Sequence, residues 1–411
     1  MSEYWPQLTP TLTVILNSTS ERNLQLSSED NLRLNVLITQ AEAIRIDENE
    51  MIVYGLQGEQ EMRVALNPTM RADKYLEQVR ELLASVVLDS PGGYPIFLRR
   101  WSRMGQIDSD QLDRLLRIGE PEAVMAVVSA PGLTNELARR AWWIAPYSEY
   151  ARQMLENPTI VEAEMGAILA EHLVEHLPFE TEHSDMLHTV RLVLQPGLIN
   201  EEQRQKLWDR GRSKSTYRVG FLVTLPNGLL ESDEARNDFA EISVKLQSLL
   251  DDSNPYAQLL LKLLDSGGQT FCRVVNESMH RPADQDVVSA LFDAIGSYFG
   301  SLRIHNGQLR TVEEIEQIVE GMMSHPAEAL KNLLDAAPEL ESEVRAMLFL
   351  AHFDEAVILP VFSLTDAIGS VMQKKIAHIS EPMLAQINRL LGLDAQASGG
   401  GRSRRRSKSR S

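Results

Sequence analysis

The segment most informative about the fold class reads EPEAVMAVVSAPGLTNELARRAWWIAP and spans residues 120–146. Its apolar residues recur at helical spacing in two runs, residues 120–130 and 134–144, which a Pro-Gly pair separates. Pro121 suits the first turn of a helix, and Thr134 suits the position that caps one. Short helices joined by brief turns predict antiparallel helix pairs, packed as a bundle or as a solenoid-like array.

The same helical spacing recurs downstream, as far as about residue 395. Residues 217–223, YRVGFLV, form one segment whose composition would also suit a strand. Asn254-Pro255 and Ser266-Gly267-Gly268 predict linkers, with a sub-boundary near residues 252–268. Apolar periodicity predicts helices over residues 161–177, 234–250, 255–264, 285–299, 312–323, 328–336, 341–351 and 366–379.

Upstream of residue 90 the pattern mixes strand and helix. Three segments with strand character, residues 43–46, 51–56 and 61–66, are spaced so closely that they predict an antiparallel meander. A serine-capped helix precedes them, and residues 72–88 have an apolar stripe at helical spacing. We therefore expect a mainly α protein, with a small α+β unit at residues 1–90, a helical domain at 91–395 and a disordered basic tail at 396–411.

Charge is distributed unevenly along the chain. The formal net charge is −18, from 40 basic and 58 acidic residues. Six of the basic residues lie in the last ten positions, so the other 34 leave the rest of the chain at −24. That excess of acid repels phosphate and argues against general nucleic-acid binding by the main body. The tail either contacts RNA or another polyanion weakly or lies against the acidic body, through Arg402, Arg404, Arg405, Arg406, Lys408 and Arg410.

The cysteine content and the N-terminal residues indicate in which cellular compartment the protein is expected. The chain has one cysteine, Cys272, so it cannot form an intramolecular disulfide, which fits a reducing cytosol. Residues 1–10 lack the basic stretch and apolar run of a signal peptide, and no apolar run is long enough to span a bilayer. We expect a soluble cytoplasmic protein with no membrane contact.

Residues 171–176 read EHLVEH and contain H-x-x-E-H, the inverted zincin pattern. His172 and His176 are four residues apart, so on a helix they share one face and can reach one metal, with Glu175 beside them. His183, Asp185 and His188 follow and could add a ligand, but no distant third ligand can be named, and buried histidines on an amphipathic helix give the same pattern. We expect no metal and no cofactor, and keep a metal-binding protein or metal-dependent enzyme as the alternative.

A second alternative is a sulfur carrier that uses Cys272. Such a thiol needs an electropositive and partly exposed setting, whereas the surrounding TFCRVV suits a small buried core cysteine better. No complete catalytic motif is present, so we do not expect an enzyme. Tryptophan and arginine are favoured at binding hot spots, which makes partner-contact candidates of Arg99, Arg100, Trp101, Trp142 and Trp143.

Several segments together resemble one family, the DsrS "sulfur reduction protein" encoded beside reverse dissimilatory sulfite reductase in sulfur-oxidising bacteria. The similarity is strongest over residues 28–152 and does not extend to the Arg-Ser tail. The resemblance implies a cytoplasmic protein linked to oxidation of stored sulfur, and it carries no catalytic or cofactor residues. We therefore expect a non-catalytic accessory or regulatory protein that acts through protein or RNA contacts. The segments that carry the resemblance are RLNVL (33–37), IRIDE (44–48), SPGGYP (90–95), LRRWSRMGQ (98–106), GEPEAV (119–124) and APGLTNELARRAWW (130–143).

Overall fold

Helices dominate the chain outside one small antiparallel sheet, as the sequence predicts. A computed structural model describes residues 26–88, 109–304 and 311–393. The chain divides into two compact units, Met1–Tyr150 and Ala151–Ser411. Among the described helices, none combines the length and the apolarity that a bilayer crossing requires.

The first unit contains the sheet and the first helices. Its strands lie side by side in chain order and are antiparallel, which confirms the predicted meander. Arg45 on the first strand pairs with Tyr54 on the second. The elements are α1 (Ser28–Gln40), β1 (Ala43–Asp47), β2 (Ile52–Gln57), β3 (Gln60–Ala65), α2 (Ala72–Leu88), α3 (Ser109–Leu115), α4 (Pro121–Val128), α5 (Asn135–Ile144) and α6 (Ser148–Leu155), the last continuing into the second unit.

A buried carboxylate joins α1 to α2. Asp30 is fully buried. Its carboxylate accepts hydrogen bonds from the Tyr75 hydroxyl and, at 2.8 Å, from the backbone amide nitrogen of Asn67. The Ser27 hydroxyl oxygen accepts from the Asp30 amide nitrogen at 3.0 Å, which confirms the predicted serine cap. The cap of α1 therefore also holds the Asp30 side chain at the helix start, where it can reach α2.

The first unit extends well beyond the boundary predicted near residue 90. The Ile44 amide of β1 donates to the Leu116 carbonyl oxygen at 2.9 Å, and α5 packs against β1. The helices at residues 109–144 thus cover part of the sheet. The segment SPGGYP (90–95) predicts that boundary by its composition, but composition does not reveal that the chain returns to the sheet afterwards.

Every regular element among the described residues of the second unit is a helix. Its helices are α7 (Pro158–Val161), α8 (Glu164–His176), α9 (His183–Val193), α10 (Glu201–Arg210), α11 (Ser215–Thr224), α12 (Phe239–Lys245), α13 (Gln247–Asp251), α14 (Pro255–Leu264), α15 (Ser266–His280), α16 (Gln285–Phe299), α17 (Val312–Ser324), α18 (Glu328–Ala336), α19 (Glu341–Ala351), α20 (Leu359–Phe362) and α21 (Gly369–Leu390). Short 3₁₀ turns lie at Leu177–Phe179, Gly300–Leu302, Pro338–Leu340 and Glu355–Val357.

The core of this unit forms where α11, α15, α16, α19 and α21 pack together. Phe271 of α15 stacks on Tyr298 of α16 with ring centroids 3.8 Å apart. The predicted bounds of α14, α16, α18 and α19 are confirmed, since Asn and Asp caps or short breaks limit these helices. Residues 217–223, whose composition would also suit a strand, lie within α11.

The predicted linker at Ser266-Gly267-Gly268 is wrong. These residues form the first turn of α15, because the Asp265 carboxylate accepts from the Ser266 amide at 2.7 Å and caps the helix. Asn254 is likewise a cap, accepting from the Tyr256 amide at 3.0 Å at the start of α14. The predicted sub-boundary near residues 252–268 lies inside the second unit.

Candidate functional site

Trp143, one of the predicted partner-contact residues, lies on α5 beside β1 in the first unit. The Arg45 guanidinium carbon is 5.0 Å from the centroid of the Trp143 ring and 4.7 Å from that of the Tyr54 ring. Tyr54 reaches this position because it pairs with Arg45 across β1 and β2, and Trp143 does so because α5 packs on β1. We call Arg45, Tyr54 and Trp143 the Arg45 cluster.

The Arg45 cluster is held in place although it is partly open to solvent. The Arg45 side chain is 37% exposed, and its Nη2 lies 3.2 Å from the Glu61 carboxylate. Each contact between a guanidinium and a ring contributes about 0.5–1 kcal/mol at an exposed site. Two rings and one carboxylate therefore restrict the conformations that the Arg45 side chain can adopt.

A cavity of about 660 Å³ adjoins the cluster, and both Arg45 and Tyr54 line it. Tyr147, which is 60% exposed, lines the same cavity. The lining of this cavity combines aromatic rings and arginine, residue types enriched at binding hot spots, with carboxylates. The charged residues of the lining are Arg45, Arg80, Asp47, Glu48, Glu120 and Glu122.

One acid of this cavity is largely buried. The Glu120 side chain is 15% exposed, and its carboxylate lies 2.9 Å from Nε of Arg80. Burial raises the pKa of Glu120, while the Arg80 charge opposes the rise and the Glu122 charge adds to it. The wall of the cavity therefore contains one largely buried carboxylate, Glu120, in an ion pair with Arg80. Other carboxylates of the wall are more exposed.

The His172 and His176 pair lies near the end of α8, and the two rings stack with centroids 3.9 Å apart. His176 Nδ1 is 2.9 Å from the His172 carbonyl oxygen, which takes up one of its two ring nitrogens. Burial lowers the pKa of His172, and the His176 charge lowers it further. Within the described residues no group of three or more His, Cys, Asp or Glu side chains could hold a metal ion, so Glu175 completes no site. That the pair binds no metal stays a prediction.

Cys272 lies inside α15 and is fully buried. Burial raises the pKa of its thiol to about 12, so the thiolate that would carry sulfur is disfavoured near neutral pH. Arg273, its neighbour in sequence, is engaged by Asp233, Glu277 and Glu231. The electropositive, accessible setting that a sulfur carrier requires is therefore not found at this thiol.

The other predicted contacts fall into two groups. Trp142 is half-buried on α5 next to Trp143. Arg99, Arg100 and Trp101, and the basic tail at Arg402, Arg404, Arg405, Arg406, Lys408 and Arg410, lie outside the described residues.

Sequence reasoning found Trp143 but missed Arg45, Tyr54 and Tyr147. The proximity of two of these residues could have been predicted from the meander, because opposite positions in an antiparallel pair lie close together once the register is known. Arg45 and Tyr54 are such a pair. That α5 would bring a tryptophan to the same point was not readable from local spacing.

Comparisons with protein-family models, with curated proteins and with solved structures found no match to this chain.

Proposed function

We propose that this chain is a non-catalytic accessory or regulatory protein of bacterial sulfur oxidation, which acts by binding a protein partner through the Arg45 cluster. The observation that carries the mode of action is the Arg45 guanidinium held between the Tyr54 and Trp143 rings, beside a cavity open to solvent. Arginine, tryptophan and tyrosine are the residues enriched at binding hot spots. The pathway rests on the family resemblance, and the cytoplasmic location on that resemblance and the single cysteine.

The chemistry of the cavity favours a basic protein segment as the partner. Four carboxylates and two arginines line it, so a lysine- or arginine-bearing segment would be attracted to it and an acidic one repelled. The same signs disfavour nucleic acid at this surface, since phosphate would meet the carboxylates. RNA contact is proposed for the basic tail alone.

The test uses Arg45→Lys, which keeps the charge but loses the planar group that stacks on two rings. The partner is captured with the full chain from cells oxidising sulfur, with and without nuclease, then purified and titrated against each variant. We expect a nuclease-resistant protein partner whose affinity falls about tenfold or more in Arg45→Lys and in Trp143→Ala.

The matched control is Arg71→Lys, the same chemical change at an arginine of the first unit whose side chain is 83% exposed. It should bind as the unmodified chain does. The melting temperature of each variant shows whether it is still folded, so that the loss of a binding contact can be distinguished from unfolding. Equal affinities for Arg45→Lys and Arg71→Lys, or a complex that nuclease removes, would refute the proposal.

A further inference from the structure

A small cavity of the second unit lies between the loop that joins α10 to α11 and the C-terminal end of α15. Its volume is about 280 Å³, below the roughly 300–1,000 Å³ of sites that hold drug-sized ligands, so it suits a small ligand. Three arginines line it, Arg212, Arg218 and Arg281, against one acid, Glu277. This local excess of positive charge contrasts with the acidity of the chain as a whole.

Two of these arginines have charge available for a ligand. The Arg281 guanidinium makes no ion pair with any described residue. The Arg212 side chain is 68% exposed, and its carboxylate neighbours, Asp209 and Glu231, are 3.6 and 3.8 Å away. Such long, exposed contacts contribute little and are readily exchanged for a better partner.

The third arginine, Arg218, is held in place by contacts with neighbouring side chains. Arg218 Nη1 lies 2.7 Å from the Glu277 carboxylate, and its guanidinium carbon is 4.9 Å from the centroid of the Trp208 ring. Arg218 Nη2 also lies 3.3 Å from the Glu231 carboxylate, so carboxylates balance the charge of Arg218 and leave it as a fixed hydrogen-bond donor. The positive charge at this cavity that is not closely paired is that of Arg212 and Arg281.

An independent observation comes from Ser278. This residue is 2% exposed and lines the cavity, and its hydroxyl finds no hydrogen-bond partner within the described residues. A buried polar group left unpaired is costly, and a ligand that accepts a hydrogen bond would relieve the cost.

The cavity also includes Ser215, the first residue of α11, a ten-residue helix whose N-terminus has no side-chain cap. The first amide groups of a helix lack intrahelical partners and favour anions.

We propose that this cavity binds a tetrahedral oxyanion, sulfate or phosphate. Arg212 and Arg281 supply charge, Arg218 supplies a fixed guanidinium, and Ser278 donates its hydroxyl hydrogen to the ligand. The site lies in the second unit and is independent of the Arg45 cluster in the first, so either proposal can fail without the other.

The experiment is calorimetric titration of the full chain with sodium sulfate and, separately, with sodium phosphate, at constant ionic strength set with sodium chloride. Calorimetry is preferred because both anions raise melting temperatures without binding a site. We expect saturation at one anion per chain, and an affinity about tenfold weaker in Arg281→Gln, which loses a charge-assisted contact. Arg204→Gln removes the same charge from an arginine of α10 outside the lining and should change the affinity less than about twofold.

Ser278→Ala distinguishes a binding role from a structural one. It should weaken anion binding several-fold while leaving the melting temperature of the free protein unchanged or higher, because an unpaired buried hydroxyl is removed. Tighter sulfate binding assigns the site to sulfate, and tighter phosphate binding assigns it to phosphate or a phosphoryl group. No saturable heat with either anion, or equal losses in Arg281→Gln and Arg204→Gln, would overturn the proposal.

Discussion

Cys272 illustrates how burial controls a single side chain. Its thiol is fully buried, and the pKa is raised from 9.0 to about 12. A group with a raised pKa in the folded state keeps its proton when the unfolded chain has lost it. Its contribution to stability is therefore complete below pH 9 and is lost as the pH rises from there toward 12.

We predict that Cys272→Ala removes this part of the pH dependence. Between pH 7 and pH 10 the unmodified chain should lose about 1 kcal/mol of unfolding free energy through this thiol, and the alanine variant should not. Urea unfolding at both pH values measures the difference.

A thiol-specific reagent provides the control for that prediction. It should label Cys272 in urea and leave the native chain unlabelled, because the thiolate is the reactive form and the native thiol is shielded. Stoichiometric labelling of the native protein would contradict the assignment of Cys272 to the core. So would an unfolding free energy that depends equally on pH in the unmodified protein and in Cys272→Ala.

Between elements, the start of α15 shows how two adjacent glycines differ. A Cβ atom on Gly268 would lie 2.2 Å from the Lys262 carbonyl oxygen and 2.4 Å from the Leu263 Cα atom of α14, whereas one on Gly267 would meet nothing within 4 Å. The close approach of the α14 backbone therefore requires glycine at one of the two positions only.

We predict opposite effects for the two alanine substitutions. Gly268→Ala should destabilise the protein by about 3 kcal/mol, because backbone atoms of α14 must move. Gly267→Ala should stabilise it by about 0.5 kcal/mol, through the reduced entropy of the unfolded chain. Urea unfolding of both variants tests this, and each is the other's chemical control. Similar effects of the two changes would show that α14 and α15 do not meet as described.

For the whole molecule, charge distribution leads to a prediction about the last ten residues of the tail, Arg402–Ser411. Its six positive charges follow a body that carries −24, so any polyanion should bind through this segment more than through the body. Deleting it should leave the melting temperature unchanged, since it contains no apolar residue to bury, and should weaken RNA binding, most clearly at low salt.

The measurement is RNA affinity at two salt concentrations, with the full and the shortened chain. Identical affinities, or no binding by either, would remove RNA from the functions proposed for this protein. A lower melting temperature after deletion would instead indicate that the tail lies against the acidic body.

Local spacing along the sequence was sufficient to place most helices, the meander and several caps. Residues 72–88 and Thr134 are examples, confirmed as α2 and as the cap of α5. Helical periodicity and capping depend on residues three or four positions apart, so a linear reading captures them. The single cysteine and the basic tail were equally readable, because composition needs no coordinates.

Contacts between distant elements depended on tertiary packing. Arg45 lies between Tyr54 and Trp143 because strand register and the docking of α5 coincide there, and Ser278 shares a cavity with Arg212 because α15 ends beside the loop before α11. The same packing gave Gly268 its steric role, where sequence alone indicated a linker. Periodicity specifies which face of an element is buried but not which partner covers it, since many apolar surfaces are interchangeable in composition and differ only in shape.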